Sequence, residues 1–298
     1  MTVASSPEEG RGAGLRWSVE RRLAFIEERL YWLGHVNRTD LVRRFGVSMS
    51  QASGDIARYL ALAPQGVSYD KRAKHYAAGD AFRPVLAKPD ARRFLGELRL
   101  VDQDILARED TLLGELPPFD ATPVPERAID PFVLRLVLAA IRETRSIDAL
   151  YQSMTRPQPS RRVIEPHALA YDGFRWHARA FDRETSEFRD FVLGRLSRPK
   201  LAGPAFSAAR QDEDWQSFVT LVIAPHPKLT PAQARAIAVD YRIKGRSLRL
   251  EIRRALLFYA LKRLGLDVKE DARPPQEQHI TLLNRAEIEQ ALARRSES

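Results

Sequence analysis

Apolar residues recur at helical spacing early in the chain. Leu23, Ile26, Leu30 and Leu33 form one stripe, and residues 17–62 read as helical. Within this stretch Thr39 can begin a short helix, TDLVRRF, that points Leu41, Val42 and Phe45 inward. Gly46 supplies a permissive turn and Val47 fills the angle. Ser48 is a good N-cap for a second helix that buries Ala52, Ile56, Tyr59 and Leu60. The period then changes. Residues 66–78, GVSYDKRAKHYAA, alternate around a turn at Lys71–Ala73, which predicts a β-hairpin. Residues 90–113 predict a helical bridge, and Pro131 suits the start of a helix over 131–143.

From Ser146 to Ser197 the pattern is strand-like: IDALYQSM, RRVIEPHALAY, FRWHARAF and FRDFVLGRL, separated by polar turns such as YDG and DRETSE. After residue 215 it predicts strand 218–224, helix 231–239, strand 247–253, helix 254–264, strand 279–283 and a short terminal helix. That order makes a small α+β block. Pro- and Gly-rich stretches at 79–90, 114–131, 203–214 and 271–278 mark the joints. The expected fold class is α+β and multidomain. A disordered leader over 1–16 precedes a winged helix-turn-helix (17–80), a helical linker (81–144), a strand-rich domain (145–202) and the C-terminal block (203–298).

Composition narrows the function. With 298 residues, 44% hydrophobic and 29% charged, the chain is globular and long enough for two or three domains. The formal net charge of +9 favours a polyanionic partner. No cysteine is present and the six histidines lack a paired ligand spacing, so neither a disulfide nor a metal is expected. No apolar run is long enough for a bilayer, and MTVASSPEEGRGAG lacks the apolar core of a signal peptide. A cytoplasmic protein without a membrane partner or cofactor is expected.

The second short helix presents Ser50, Gln51, Ser53, Gly54 and Arg58 opposite its apolar stripe, with Ser48 at its start. Small, hydrogen-bonding residues at a helix start can approach base edges and phosphates. The hairpin adds Tyr69, Lys71, Arg72, Lys74 and His75, a basic tip suited to phosphate contact. Singly, these features also describe an ordinary helical corner and a solvated turn. Their order, long helix, helix, turn, helix and basic hairpin, points to a winged helix-turn-helix.

In the strand-rich stretch Ala149, Tyr151 and Ser153 share one face of their strand by alternation. Arg189, Phe191, Leu193 and Arg195 share a face of a later one, as do Arg175, His177 and Arg179 on the third, and His167 lies on the second. Converging arginines imply an anionic ligand, unless they pair on the surface with Glu165, Asp182, Glu187 or Asp190. An enzyme would use His167 or His177 as general base beside Asp182 or Glu165. The sequence contains no nucleophile elbow, phosphate loop or metal triad to complete such a site, and a non-enzyme is expected.

The stretch from SIDALYQSM to FVLGRLS resembles the WYL domain, an Sm-like β-barrel found attached to bacterial winged-helix regulators. Tyr151 and Ser153, then RRVIEPHAL, DGFRWHARAFD and FRDFVLGRLS carry the resemblance; Trp176 is retained while His177 and Ala178 replace Tyr and Leu of the signature. Over nearly its whole length the chain resembles the WYL regulators called CapW or BrxR, which repress anti-phage defence operons. The resemblance implies a homodimer joined through a C-terminal, WCX-like extension and bound to an inverted-repeat DNA operator. It also implies a WYL domain that senses an anionic effector, a nucleotide or single-stranded nucleic acid, and so relieves repression. The matching ligand positions are Tyr151, Ser153, His167, Arg189 and Arg195. The alternative is a WYL accessory protein that binds single strands and modulates an effector enzyme, since bases stack on aromatics over a cationic groove.

Overall fold

In a computed structural model the described residues are 8–62, 66–111, 113–125, 127–206 and 209–296, with side chains for all of these except 8–17, 271 and 294–296. The chain divides into two units, Met1–Val124 and Pro125–Ser298.

In the first unit a long helix, α1 (Glu8–Leu33), leads through a two-residue strand, β1 (His35–Val36), into α2 (Arg38–Phe45) and α3 (Met49–Leu62). The hairpin β2 (Val67–Asp70) and β3 (His75–Ala78) follows, then α4 (Ala91–Asp102). The three strands form one antiparallel sheet in the order β1-β3-β2. Of the leader expected over 1–16, residues 1–7 lie outside the described residues, while the backbone from Glu8 already belongs to α1. Phe25, Ile26 and Leu30 of α1 pack with Leu41, Ala52, Ile56 and Tyr59, while Leu23 and Leu33 sit half-buried at the margin of the stripe.

α2 starts one residue earlier than Thr39 because Asn37 is the better cap. Its side chain accepts from the Asp40 N–H at 3.0 Å, and the Asp40 carboxylate accepts from the Asn37 N–H at 2.8 Å. Gly46, at φ 64°, closes α2 with its N–H on the Val42 carbonyl, and the Ser48 hydroxyl accepts from the Gln51 N–H at 3.1 Å. The helical bridge is shorter than expected. α4 ends at Asp102, where Asp104 takes φ 53° and the Ile105 N–H returns to the Leu100 carbonyl, and among the described residues up to 125 only one 3-10 turn, Arg108–Asp110, follows.

The second unit opens with α5 (Pro131–Glu143), its first turn preset by Pro131 and capped by the Asp130 carboxylate on the Phe132 N–H. Five strands follow: β4 (Arg145–Tyr151), β5 (Ser160–Tyr171), β6 (Trp176–Asp182), β7 (Glu187–Val192) and β8 (Leu196–Pro204). They form one antiparallel sheet in the order β7-β6-β5-β4-β8. The two edge strands are consecutive in sequence and joined only by the 3-10 turn Leu193–Arg195, so the sheet must curl until its edges meet, as in an Sm-like barrel. Val133, Val137 and Ala140 of α5, expected within a linker, pack into the barrel core against Ile147, Ile164, Ala178, Phe191 and Leu193.

A four-residue helix, α6 (Glu213–Gln216), leads to the last block: β9 (Phe218–Pro225), α7 (Pro231–Asp240), β10 (Leu248–Arg253), α8 (Leu257–Leu264), β11 (Ile280–Leu282) and α9 (Arg285–Ser296). Its sheet runs β10-β9-β11, and Leu221 and Ile223 pack with Ile237, Leu257, Leu261 and Ile288. The apolar run of α8 is therefore mostly consumed within its own block; Phe258 is the residue it leaves exposed.

Candidate nucleic-acid interface and effector cleft

α3 is held from behind by buried charges on α1 that helical periodicity alone does not single out. Arg22 Nε donates to Asp55 Oδ2 at 2.5 Å, with both side chains buried. The Glu27 carboxylate accepts from the Tyr59 hydroxyl at 3.0 Å and from the N–H groups of Val85, Leu86 and Ala87. Burial, together with Glu27 beside it, pushes the Tyr59 hydroxyl far above its ordinary pKa, so it remains a donor. Arg29 donates to the Leu113 carbonyl and lies 3.5 Å from Asp40 of α2. One helix thus grips α2, α3 and the segment beyond the hairpin.

The opposite side of α3 faces solvent. Ser48, Ser50 and Gln51 are exposed, and Arg58 is exposed with only a long 3.7 Å pairing to Asp55. Ser53 is half-buried, and its hydroxyl donates to the Met49 carbonyl. At the hairpin, Asp70 Oδ1 accepts from the N–H groups of Ala73 and Arg72, and these two bonds hold its carboxyl below the usual range. The turn so fixed presents Lys71, Arg72 and Lys74 to solvent, with no carboxylate within 4 Å of them among the described residues. Tyr69 is exposed beside Tyr76, ring centroids 5.0 Å apart.

The second unit uses its arginines differently. Arg179, 1% exposed, donates to both oxygens of Asp212 at 2.7 and 2.8 Å and lies 3.3 Å from Asp190 and 3.8 Å from Asp214. His167 sits at the irregularity of the β5–β6 ladder and meets Asp212 through Nε2 at 2.9 Å. Burial alone would raise the Asp212 carboxyl, but the bonds from Arg179 and His167 outweigh it and hold the group far below the ordinary range. Arg162 pairs with Asp182, Arg183 with Glu165, and Arg189 with Glu187. The pairings with Glu165, Asp182, Glu187 and Asp190 are thus formed, two of them in the interior rather than on the surface. Asp212, in a stretch that reads as a connection, was missed; its cap on the Trp215 N–H is the local signal that marks it.

A cleft of about 700 Å³ opens beside this cluster, lined by Arg189, Phe188, Asp190, Asp214, Arg254 and Tyr259 among others. Of the five expected ligand positions, Arg189 lines this cleft and His167 reaches its Asp212. Tyr151, Ser153 and Arg195 lie where β4 ends against the 3-10 turn: the Gln152 N–H donates to the Arg195 carbonyl, and the Val192 N–H to the Tyr151 hydroxyl at 3.4 Å. Ser153 lies beyond the end of β4, its hydroxyl engaged with Thr155, and the Tyr151 ring packs edge-on against Phe191. The expectation that one regular strand aims Arg189 and Arg195 together does not hold, because β7 ends at Val192. Gly194 stands in the turn that follows, where a Cβ would lie 2.7 Å from the Ala128 carbonyl oxygen. Among the described residues no acidic or histidine cluster could hold a metal ion, and no helix is long and apolar enough to cross a membrane.

A helix-turn-helix with a basic wing, followed by a five-stranded barrel and a separate α+β block, defines a winged-helix regulator of the WYL type. Family models agree segment by segment. The BrxR transcriptional regulator winged helix-turn-helix domain matches residues 18–100, the WYL domain 133–201, and the BrxR C-terminal dimerization domain 218–288. The DNA-binding transcriptional repressor CapW of Pseudomonas aeruginosa is 39% identical over 293 residues, covering 97% of this chain and 98% of its own length. Proteins of the same name from Stenotrophomonas maltophilia and Escherichia coli are each 37% identical, covering 95% and 94% of this chain and the same shares of their own. The chain belongs to the CapW/BrxR family of WYL-domain regulators.

Proposed function

We propose that the chain is a homodimeric, DNA-binding transcriptional repressor of an anti-phage defence operon, acting in the cytoplasm without enzymatic activity. The observation that carries DNA binding is the contrast across the first unit. Buried charges fix α3 from behind, while its polar start and three unpaired wing cations face outward. Gln51, with Ser48, Ser50 and Ser53 near it, reads or approaches base edges; Arg58, Tyr69, Lys71, Arg72 and Lys74 contact the backbone. One such head reads only a few base pairs, so two copies on an inverted repeat supply the missing specificity. The match to a dimerization domain over 218–288 supports that pairing.

The barrel senses an anionic, nucleic-acid-derived effector that relieves repression. Arg195 supports this, since its half-buried guanidinium has no carboxylate within 4 Å among the described residues. At Arg189 an anion must displace Glu187, which is feasible because that pair is solvent-exposed and weak. The effector shifts the dimer only by binding one arrangement more tightly than the other.

The test is a gel-shift on DNA upstream of the protein's own operon, paired with light scattering of the whole chain. Truncating at residue 204 is unsuitable because it removes Asp212 and strands Arg179. A specific, salt-sensitive complex of two chains per site is expected. Equal affinity for random DNA, or a monomer on the site, would refute the proposal.

A further inference from the structure

The turn between α7 and β10, with the start of that strand, carries Arg242, Lys244, Arg246 and Arg249, all exposed. None has a carboxylate within 4 Å among the described residues. Several other arginines of this unit are matched, among them Arg161 by Asp148, Arg162 by Asp182, Arg183 by Glu165 and Arg254 by Asp214. Four like charges within eight residues repel one another, and the nearby Asp240 and Glu251 form no ion pair with any of them.

The backbone concentrates them further. The Ile243 N–H returns to the Ala238 carbonyl at 2.8 Å and the Arg242 N–H to Val239 at 3.0 Å, ending α7 with a residue in the left-handed region. That residue is Arg242, at φ 53°, where glycine would carry no steric penalty. Gly245, at φ 76°, then reverses the chain again. A favourable field at the carboxyl end of α7 accounts for Arg242 and Lys244, but that effect fades within a turn and does not reach Arg246 or Arg249.

We propose that this basic turn is a second nucleic-acid contact, gripping the phosphate backbone independently of base sequence. Three of the four cations are arginines, whose planar forks hold phosphate through two bonds. A nucleic-acid strand carries a charge about every 3.4 Å along its axis, so four cations gathered at one turn can meet more than one phosphate. This turn belongs to the second unit, whereas the wing belongs to the first, and it lies on a different sheet from the effector positions in the barrel.

The experiment compares the full-length protein with a variant carrying Arg242→Gln, Lys244→Gln, Arg246→Gln and Arg249→Gln. Binding to a long random-sequence duplex is followed by fluorescence anisotropy across salt, with light scattering alongside. The random duplex needs no operator, so the result is independent of whether the repressor reading holds. The variant should remain as oligomeric as the parent while its slope of log affinity against log salt becomes shallower by about 2–4, roughly 0.9 for each phosphate it no longer neutralises. An unchanged slope overturns the proposal. So does dissociation of the variant into monomers, which would assign these cations to the subunit contact.

Discussion

On the hairpin of the first unit Lys71, Arg72 and Lys74 stand in solvent with no partner among the described carboxylates, whereas Arg179 of the barrel is buried among Asp190, Asp212 and Asp214. Both stretches are rich in cations in sequence, although acids interleave those around Arg179. The difference is one of availability. A cation without an internal partner can exchange counterions for phosphates, and one fixed by two buried hydrogen bonds is already spent on the fold. Net charge therefore overstates what the barrel can offer a ligand and describes the wing fairly.

The largest test of this contrast is Asp212→Ala. It leaves the Arg179 guanidinium buried with its main partner gone, and should destabilise the second unit by about 3–5 kcal/mol in denaturant unfolding. The unfolding of the winged-helix unit should be unaffected. A loss below about 1 kcal/mol would show that Asp190 and Asp214 suffice for Arg179.

The same carboxylates set an acid limit. Asp172 is buried, which by itself raises its pKa, but bonds from His177 and from the N–H groups of Phe174 and Arg175 bring it down to about 2, and Asp212 is lowered as well. Both groups are more acidic folded than unfolded, so their contribution is full above the ordinary carboxylate value of about 3.8; that of Asp172 is lost as pH falls from there toward 2, and that of Asp212 persists lower still. Circular dichroism should show stability declining across that window. Asp172→Asn should flatten the decline, and a curve parallel to wild type would contradict the assignment.

Gln51→Ala sharpens the other side of the comparison. It should reduce discrimination between operator and mismatched sites by about 1–3 kcal/mol, with little change in affinity for random DNA. Competition gel-shifts measure this, and equal weakening on both DNAs would move Gln51 from base reading to backbone contact. Smallest in effect is Gly46→Ala, which places a Cβ at φ 64° and should lower the stability of the first unit by about 1 kcal/mol in thermal melts.

The winged helix was legible because its cues are local. Gly46, Ser48 and the Lys71–Ala73 turn each act within four residues, and the strands of the barrel and C-terminal block announce themselves by alternation. The clamps were not legible. Arg22 meets Asp55 and Arg179 meets Asp212 across 33 residues each, and charged residues at such distances look like surface until the fold brings them together. The candidate effector site suffered from the assumption that one strand continues from Arg189 to Arg195. The 3-10 turn Leu193–Arg195 joins the barrel's edge strands there instead.

The most direct measurement is the affinity of full-length protein for its operator as a function of salt, compared with a variant carrying Lys71→Ala, Arg72→Ala and Lys74→Ala. If these unpaired cations touch phosphate, the variant should bind more weakly at low salt, and its slope of log affinity against log salt should be shallower by about 2–3. Its preference for operator over random sequence should persist, since base reading belongs to α3. A variant that binds its operator with wild-type affinity and slope would contradict the assignment of this hairpin as a DNA-contacting wing.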